Sequence, residues 1–480
     1  MKAGMLSEPE LEFRSGNRHI DPRFGIAQYG PADADTPSFP SQIPIGLVGP
    51  RQGLDGIRRW LERCQDEIGG KVAKPGQQNM YPPFPGFARD RGFLSTIVFD
   101  DSLVREIPDR SVRLFAGRAS PSLLASAVEL YADEARSLSE TGRCRVIICA
   151  RPDELDDEPA ESDTGEENGD DAEDRPDDPG GDFHDLLKAR CLSFTSPLQI
   201  IRRETWEGTV SSTRQRRRSL QDEATRAWNL HTALYYKAGG TPWRLPRRST
   251  DLTTCFVGVS FFRTPDASEL HTAVAQVFNE RGDGVVVRGG AASVSKADRQ
   301  PHLSGEDAEG LLNDALGEYR RVHGNLPARV VLHKSSSFNE NERSGFRNAV
   351  ESRDIDHLDL LWIQRRAAPR MFRSGDLPPL RGTVLWLQSN AIVVYTRGSV
   401  PFFRTYPGMY VPAPLLIQPC SEVDLSGAAS EVLALSKMNW NNAQLDERDP
   451  LTLRTAQRVG RILKHVPTDS TIATRYAFYM

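Results

Sequence analysis

Short apolar runs alternate with helical patterns in the first third of the chain, and this alternation limits the possible folds. The runs at 43–49 (IPIGLVG), 92–101 (GFLSTIVFDD) and 144–150 (CRVIICA) are typical of buried strands. Residues 53–68 have apolar side chains at helical spacing, and 120–138 begin with a serine cap and a proline in the first turn. Strands that alternate with helices predict an α/β unit with a mainly parallel sheet.

A second series of strands and helices occupies the chain after residue 246. A strand at 255–263 (CFVGVSFFR) opens it, and a helix at 308–322 and a strand at 328–338 follow. More apolar runs precede a closing helix with the sequence TLRTAQRVGRILKHV. A chain of 480 residues is long enough for two or three domains with sizeable cores. The predicted parts are an irregular N-terminal arm (1–45), a first α/β domain (46–245) and a second α/β domain (246–480).

The composition is typical of a soluble globular protein, with 38% hydrophobic and 26% charged residues. No apolar run approaches twenty residues, so the sequence predicts no membrane-spanning helix. The first residues, MKAGMLSEPELEF, lack the basic and then apolar layout of a secretion signal. Six scattered cysteines favour free, mostly buried thiols in a reducing cytosol. We therefore expect a cytoplasmic protein.

The net charge of −5 combines two unlike parts of the chain. Residues 151–182 hold sixteen Asp or Glu and two Arg, a balance of −14, so the rest of the chain carries +9. The acidic stretch 153–182 has few apolar residues and repels itself, which predicts a disordered, solvated insertion. A DNA-mimicking role is the alternative. A basic body with an acidic insertion fits a polyanionic partner.

A basic cluster follows in the stretch 200–221. Its members are Arg214, Arg216, Arg217 and Arg218. Such a cluster can neutralise several phosphates of a nucleic-acid backbone through salt-sensitive contacts. A solvated basic loop explains the same residues, and the sequence leaves both interpretations open.

Residues 183–199 (FHDLLKARCLSFTSPLQ) contain the side chains that point most directly to a ligand. His184 and Lys188 are four residues apart and lie on one face of a helix. Gln199 follows just past Pro197, where a helix cannot easily continue. An imidazole, an ammonium and a carboxamide offer several hydrogen-bond donors and no negative charge, which suits a terminal phosphate. The His–Lys pair alone also fits an ordinary solvated surface helix.

This spacing resembles the nucleotide pocket of Argonaute MID domains, with Lys237 before Gly239 and Gly240 as the distant second lysine. The strand and helix order after residue 246, and KMNWNNAQ at 437–444, resemble PIWI domains. Over about residues 40–480, the chain is similar to short prokaryotic Argonautes, which have MID and PIWI domains only. The resemblance implies an α/β protein in which a Rossmann-like MID domain precedes a ribonuclease H-like PIWI domain.

The resemblance also implies the roles of particular residues. It assigns His184, Lys188, Gln199 and Lys237 to the 5′-phosphate of a guide strand. The apolar tail RYAFYM would lie between the two domains, so that Met480 supplies a C-terminal carboxylate near that phosphate. A structural Mg²⁺ would then be bridged by the guide phosphate, Met480 and Gln199.

The positions that correspond to a ribonuclease H-type nuclease site lack carboxylates. Such a site needs clustered carboxylates to hold two divalent cations. The opening strand reads GVS with Ser260, the next strand ends HKS with Ser335, and the best match in the closing helix is Gln457. Glu306 or Glu309 would stand near the remaining acidic position, and one glutamate cannot build the site. The resemblance therefore implies a PIWI domain without nuclease activity, and no enzyme in this chain.

By resemblance, the chain is a sensing subunit of a prokaryotic immune complex. It would use guide RNA to recognise complementary single-stranded DNA without cutting it. Its partner would be an APAZ-domain protein fused to a sirtuin-like or TIR effector that depletes NAD, with the sirtuin-like type favoured, and the NAD site would lie in that partner. A nuclease with an unconventional acidic site and a scaffold with a vestigial pocket are the alternatives.

Overall fold

The computed structural model describes residues 1–113, 121–152, 155, 182–208, 221–247, 251–264, 270–278, 284–366, 368–387, 390–406, 408, 411–445, 447–467, 470 and 472–480. The arginines Arg214, Arg216, Arg217 and Arg218 lie outside these residues, as does the acidic stretch apart from Leu155 and Asp182. Among the described residues, no helix is both long enough and apolar enough to cross a membrane.

The N-terminal segment is more regular than the irregular arm that the sequence predicted. Its elements are β1 (Lys2–Met5), β2 (Leu11–Glu12), β3 (Arg18–His19) and α1 (Pro22–Tyr29). The segment is fixed to the second half in two ways: β1 pairs antiparallel with residues 383–386, and the carboxylate of Glu8 bonds Arg381 (3.0 Å) and Lys437 (2.9 Å). Burial would raise the pKa of Glu8, but these two cations hold it below its ordinary value.

The first α/β half contains the parallel sheet that the alternating pattern predicted. Its elements are β4 (Gln42–Gly49), α2 (Arg51–Arg63), β5 (Thr96–Val98), β6 (Val104–Glu106), α3 (Asp109–Arg113), α4 (Pro121–Glu140), β7 (Val146–Ala150), α5 (Phe183–Arg190), β8 (Leu198–Ile201), α6 (Arg203–Glu207) and α7 (Glu223–Lys237). The strand order is β5–β4–β7–β8, β6 also pairs with β4, and every pairing is parallel. The strand predicted at 92–101 is shorter, because Gly92 and Leu94 have positive φ angles of 55° and 56°.

The second half is built around a larger mixed sheet. Its elements are β9 (Thr254–Arg263), β10 (Leu270–Phe278), β11 (Gly284–Val287), β12 (Ser293–Val294), β13 (Pro301–His302), α8 (Gly305–His323), β14 (Arg329–Lys334), α9 (Glu340–Glu351), β15 (His357–Gln364), β16 (Thr383–Leu387), β17 (Ala391–Val394), β18 (Leu415–Pro419), α10 (Leu425–Leu435) and α11 (Leu451–Leu463). The nine-stranded order is β1–β16–β17–β18–β15–β14–β9–β10–β11. The pairs β9–β14 and β14–β15 are parallel, and the other neighbours are antiparallel.

One hydrophobic core is continuous between the two sheets. It includes Ile45 on β4, Leu361 on β15, Trp243 between α7 and β9, and Trp440 between α10 and α11. Trp243 Nε1 donates to the backbone oxygen of Lys437 (3.1 Å), and Trp440 Nε1 donates to the backbone oxygen of Trp243 (3.2 Å). The predicted domain limits at 45/46 and 245/246 stay predictions, and β4 already begins at Gln42. All six cysteines are free thiols and five are buried, as the sequence predicted.

Candidate functional site

The first candidate site begins at α5. Asp182 caps this helix, since its carboxylate accepts a hydrogen bond from the backbone N–H of Asp185 (2.8 Å). The helix places His184 and Lys188 on one face, and both are buried, with 7% and 1% exposure. The four-residue spacing therefore brings both side chains to one place, as the sequence predicted.

Three predicted site residues touch each other although they are far apart in the sequence. Lys237, the last residue of α7, donates from Nζ to Gln199 Oε1 (2.6 Å) and to the backbone oxygen of Met480 (3.0 Å). Gln199 lies on β8, and Met480 is the last residue of the sequence and is fully buried. The Lys237 ammonium thus connects β8, the end of α7 and the last residue of the sequence.

Lys188 belongs to the same arrangement. Its ammonium donates to the backbone oxygen of Leu198, the residue before Gln199. Burial raises the pKa of the Cys149 thiol on β7 to about 12, and the charges of Lys188 and Lys237 both act against this rise. Both lysines therefore lie close to one thiol, and the predicted residues converge around β7 and β8.

A carboxylate that the sequence analysis did not consider lies beside His184. His184 Nδ1 and Asp185 Oδ1 are 2.9 Å apart. Burial alone would raise the pKa of the Asp185 carboxyl, but the hydrogen bond with His184 and the charges of Arg461 and Arg458 hold it at about 2. We expected donors without negative charge here. The structure adds one carboxylate, and it adds two arginines from α11 that compensate for it.

We expect acid to remove the stability that the Asp185 carboxylate contributes. The pKa of an unfolded aspartate is about 3.9, whereas the pKa of folded Asp185 is about 2. The contribution, on the order of 2 kcal/mol, is therefore complete above about pH 4 and is lost as the pH falls through about 2. Asp185→Asn should make the urea midpoint less sensitive to pH across that range. An unchanged pH profile would contradict this assignment.

The residues predicted to hold magnesium, Gln199 and Met480, both face a cation already. Their oxygens accept hydrogen bonds from the Lys237 ammonium, so the lysine lies where the predicted ion would join them. Charged oxygens, which magnesium prefers, are present on Asp182 and Asp185. Their ligand atoms and that of His184 lie within 4.8 Å of one another. In this arrangement Gln199 and Met480 do not form a magnesium site by themselves, and the magnesium stays a prediction.

The pocket is closed in this structure. His184, Lys188, Lys237 and Met480 are all buried, and Gln199 is partly exposed. The two lysines use protein oxygens as hydrogen-bond acceptors. A phosphate therefore reaches the lysines only when groups around Gln199 and Met480 move.

The second candidate site lies on β9, beside the point where β14 ends. The parallel register pairs Val259 with Lys334, so that Ser260 and Ser335 follow as neighbours. Ser260 is buried, and its Oγ has no hydrogen-bond partner among the described residues. Ser335 is exposed, and its backbone oxygen accepts a hydrogen bond from Trp362 Nε1 (3.1 Å). The two serines predicted at the nuclease positions thus lie next to each other.

A guanidinium lies against Gln457, the third of these positions. Gln457 Oε1 accepts a hydrogen bond from Arg365 Nη2 (2.7 Å). Arg365 also forms two hydrogen bonds with the carboxylate of Asp449, at 3.0 and 2.6 Å. The carboxylate nearest to Gln457 in these contacts is therefore already paired with a positive charge.

The two glutamates considered for an acidic site lie near the start of α8. Glu306 is exposed. Glu309 Oε2 accepts a hydrogen bond from Asn348 of α9 (3.3 Å). This contact directs Glu309 toward the neighbouring helix.

A buried ionic network at the end of β14 was not predicted from the sequence. Lys334 and Glu342 form an ion pair in which both side chains are fully buried. Glu342 also contacts His302 Nδ1 (3.0 Å), and His302 Nε2 contacts Asp298 (2.9 Å). Ser337 Oγ donates to the same carboxylate of Asp298 (3.0 Å). The network therefore fixes the loop that carries Ser335 to the segment before α8.

The fold is found in solved Argonaute structures. Clostridium butyricum Argonaute bound to a guide DNA and a 19-mer target DNA matches with a TM-score of 0.66 and 15% identity, covering 98% of this chain and 53% of that one. A. aeolicus Argonaute matches with a TM-score of 0.57 and 14% identity, covering 96% and 53%. No protein-family model and no curated protein matches the chain.

These matches define the class of fold. The first half has the α/β fold of MID domains and the second half that of PIWI domains, so the predicted fold class is confirmed. The chain spans about half the length of the Argonautes that it matches. At 14–15% identity the likeness concerns the fold, and the function has to be argued from the residues of the site.

Proposed function

We propose that this chain is a guide-directed nucleic-acid-binding protein. It holds the 5′-phosphate of a guide RNA and recognises complementary single-stranded DNA. The observation that carries the proposal is the convergence of Lys188, Gln199, Lys237 and Met480 around β7 and β8. The fold supports it, because the C. butyricum protein of this fold is bound to a guide DNA and a target DNA.

The proposed phosphate replaces oxygens of the protein as the hydrogen-bond acceptor of two lysines. It accepts hydrogen bonds from the ammoniums of Lys188 and Lys237, which here donate to Leu198, Gln199 and Met480. The present contacts of the two ammoniums with Leu198 and Gln199 have neutral oxygens as acceptors, whereas a phosphate brings negative charge to both lysines, so the electrostatic attraction increases. We also propose that a magnesium ion bound with the phosphate would be held beside Gln199 and Met480.

We further propose that the bound target is not cut. Hydroxyl and amide groups at Ser260, Ser335 and Gln457 cannot replace the carboxylates that hold two magnesium ions. The contacts at Gln457 support this proposal, because the amide oxygen of Gln457 and the carboxylate of Asp449 both accept hydrogen bonds from the Arg365 guanidinium.

The test of this proposal is an assay with guide-loaded protein, labelled matched DNA and either Mg²⁺ or Mn²⁺. We expect the matched DNA to be retained on the protein and to stay full-length, while a mismatched DNA is not retained. Magnesium-dependent cutting that is abolished by Glu306→Gln or Glu309→Gln would overturn the non-cleaving assignment. Failure to retain the matched DNA would overturn target recognition.

The biological role that we propose is that of a cytoplasmic sensing subunit in defence against phages or plasmids. An APAZ-domain partner with a sirtuin-like domain, or less favoured a TIR domain, would deplete NAD when the target is recognised. The test is co-purification of such a partner followed by an NAD assay with guide and target present. NAD loss that needs both strands supports the role, and NAD loss without them contradicts it.

A further inference from the structure

One loop of the second half lies along the sheet edge that carries Ser260 and Ser335. We name residues 368–380 the edge loop. It connects the end of β15 to the start of β16. Because β9, β14 and β15 are parallel, they all end at one edge. The antiparallel pairs β15–β18, β18–β17 and β17–β16 make β16 begin at that same edge.

The edge loop is held in place at its base. The backbone N–H of Met371 donates to the hydroxyl of Tyr395 (2.7 Å), and this hydroxyl donates to the backbone oxygen of Met371 (3.3 Å). Arg373 Nε donates to the backbone oxygen of Leu377 (3.1 Å), which closes the tip. Ala368 packs on the sheet through a small cluster with Val393 and Leu416 of β17 and β18. The loop is therefore an ordered feature.

The ordered loop presents an aromatic ring to solvent. Phe372 is 79% exposed, and no other aromatic side chain among the described residues is as exposed. Leaving a ring of this size in water forgoes about 2 kcal/mol of burial free energy. Arg370 and Arg373, on either side of it, are exposed as well. Proteins that bind single-stranded nucleic acids use an aromatic ring between cations, because bases stack on the ring and phosphates contact the positive charges.

The local charge favours a polyanion over an apolar protein surface. Residues 365–373 contain four arginines and no acidic residue; Arg365 is paired with Asp449, and one aspartate, Asp376, follows in the loop. Arg365 contacts Gln457, so the charged stretch begins at the nuclease-like position and continues to Phe372. A strand that passes Ser260 and Ser335 would therefore continue over the edge loop.

We propose that the edge loop is a second nucleic-acid contact, in which Phe372 stacks on an unpaired base and Arg370 and Arg373 bind the adjacent phosphates. This inference rests on the proposed function, because it needs a strand bound along the sheet edge. It adds a contact that is independent of the 5′-phosphate pocket and that reads no particular base, since every base has a face for stacking.

The test uses the full-length chain loaded with a 5′-phosphorylated guide RNA. A series of matched DNA targets carries 2-aminopurine at successive positions, and its fluorescence falls when the base stacks. Wild-type protein should quench one or two positions. Phe372→Ala and Phe372→Leu should lose the quenching and weaken target binding about 5- to 100-fold, whereas Phe372→Trp should retain both. Arg370→Ala should lower the slope of log affinity against log salt by about 0.7.

The matched controls are Val322→Ala and Arg320→Ala. Both residues are exposed and lie at the end of α8, before β14 begins at the opposite edge of the sheet. They should change neither quenching nor affinity. Equal target binding by wild type and Phe372→Ala, with guide loading intact, overturns the inference and leaves the proposed function standing. Loss of a co-purifying protein with unchanged nucleic-acid binding overturns it in favour of a protein contact. Absence of guide binding in the wild type overturns both.

Discussion

Replacing Lys188 with alanine is expected to weaken the binding of 5′-phosphorylated RNA by about 10- to 100-fold. The ammonium is buried and donates to Leu198, one residue before Gln199, so a phosphate at Gln199 lies within its reach. A hydrogen bond between charged groups contributes about 1.5–3 kcal/mol, which sets the size of the effect. RNA with a 5′-hydroxyl lacks the negative charge that Lys188 would contact, so the Lys188→Ala substitution should not change its affinity.

The matched control for Lys188 is Arg190→Ala on the same helix. Arg190 is about half exposed and bonds Glu129 of α4, outside the pocket. Removing its charge should leave the preference for the 5′-phosphate intact. Thermal unfolding of both variants shows whether the pocket itself is preserved. An equal loss for phosphorylated and hydroxyl RNA in Lys188→Ala would mean that Lys188 does not contact the phosphate.

Glu342→Ala is expected to cause a large loss of stability, about 3–5 kcal/mol. The substitution leaves the fully buried ammonium of Lys334 without its carboxylate partner. Glu342 also accepts hydrogen bonds from the backbone N–H groups of Leu303 and Asn339, at 2.9 and 3.1 Å. Burial lowers the pKa of Lys334, and the Glu342 charge opposes that change. Urea unfolding measures the change in the free energy of unfolding, and hydrogen exchange shows whether β14 and α9 lose protection.

The comparison that isolates the ion pair is a double-mutant cycle of Lys334→Met and Glu342→Gln. The glutamine keeps an acceptor for the backbone groups, and the methionine removes the buried charge. The double variant should therefore be more stable than Glu342→Gln alone. Glu340→Ala, at an exposed position of the same helix, should change stability by less than about 1 kcal/mol. Additive effects in the cycle would contradict a coupled pair.

Much of the fold was predictable because local and global signals agree. The apolar runs of β4 and β7 alternate with helical patterns, and this alternation is typical of parallel α/β sheets. The spacing of His184 and Lys188 was equally informative, since a helix places residues four apart on one face. In these places local sequence patterns were sufficient to predict the secondary structure.

The rest of the site depends on contacts that no local pattern contains. Lys237 reaches Met480 across 243 residues, and the ion pair of Lys334 with Glu342 joins a strand to the next helix. The carboxylate of Asp185 was visible in the sequence, but its contact with His184 depends on side-chain orientation. The N-terminal segment looked irregular because its order comes from distant partners, namely β16, which pairs with β1, and the two cations that bond Glu8. Tertiary contacts decided each of these features.

The central claim is that the pocket of Lys188, Gln199, Lys237 and Met480 binds the terminal phosphate of a guide. The most direct measurement is the affinity of the wild-type chain for one short RNA with a 5′-phosphate or a 5′-hydroxyl, with magnesium present and with any APAZ partner co-expressed. We predict a preference for the phosphate of at least about tenfold, as expected for charge-assisted hydrogen bonds. Equal affinity for the two RNAs would contradict the account and leave only non-specific attraction between charges.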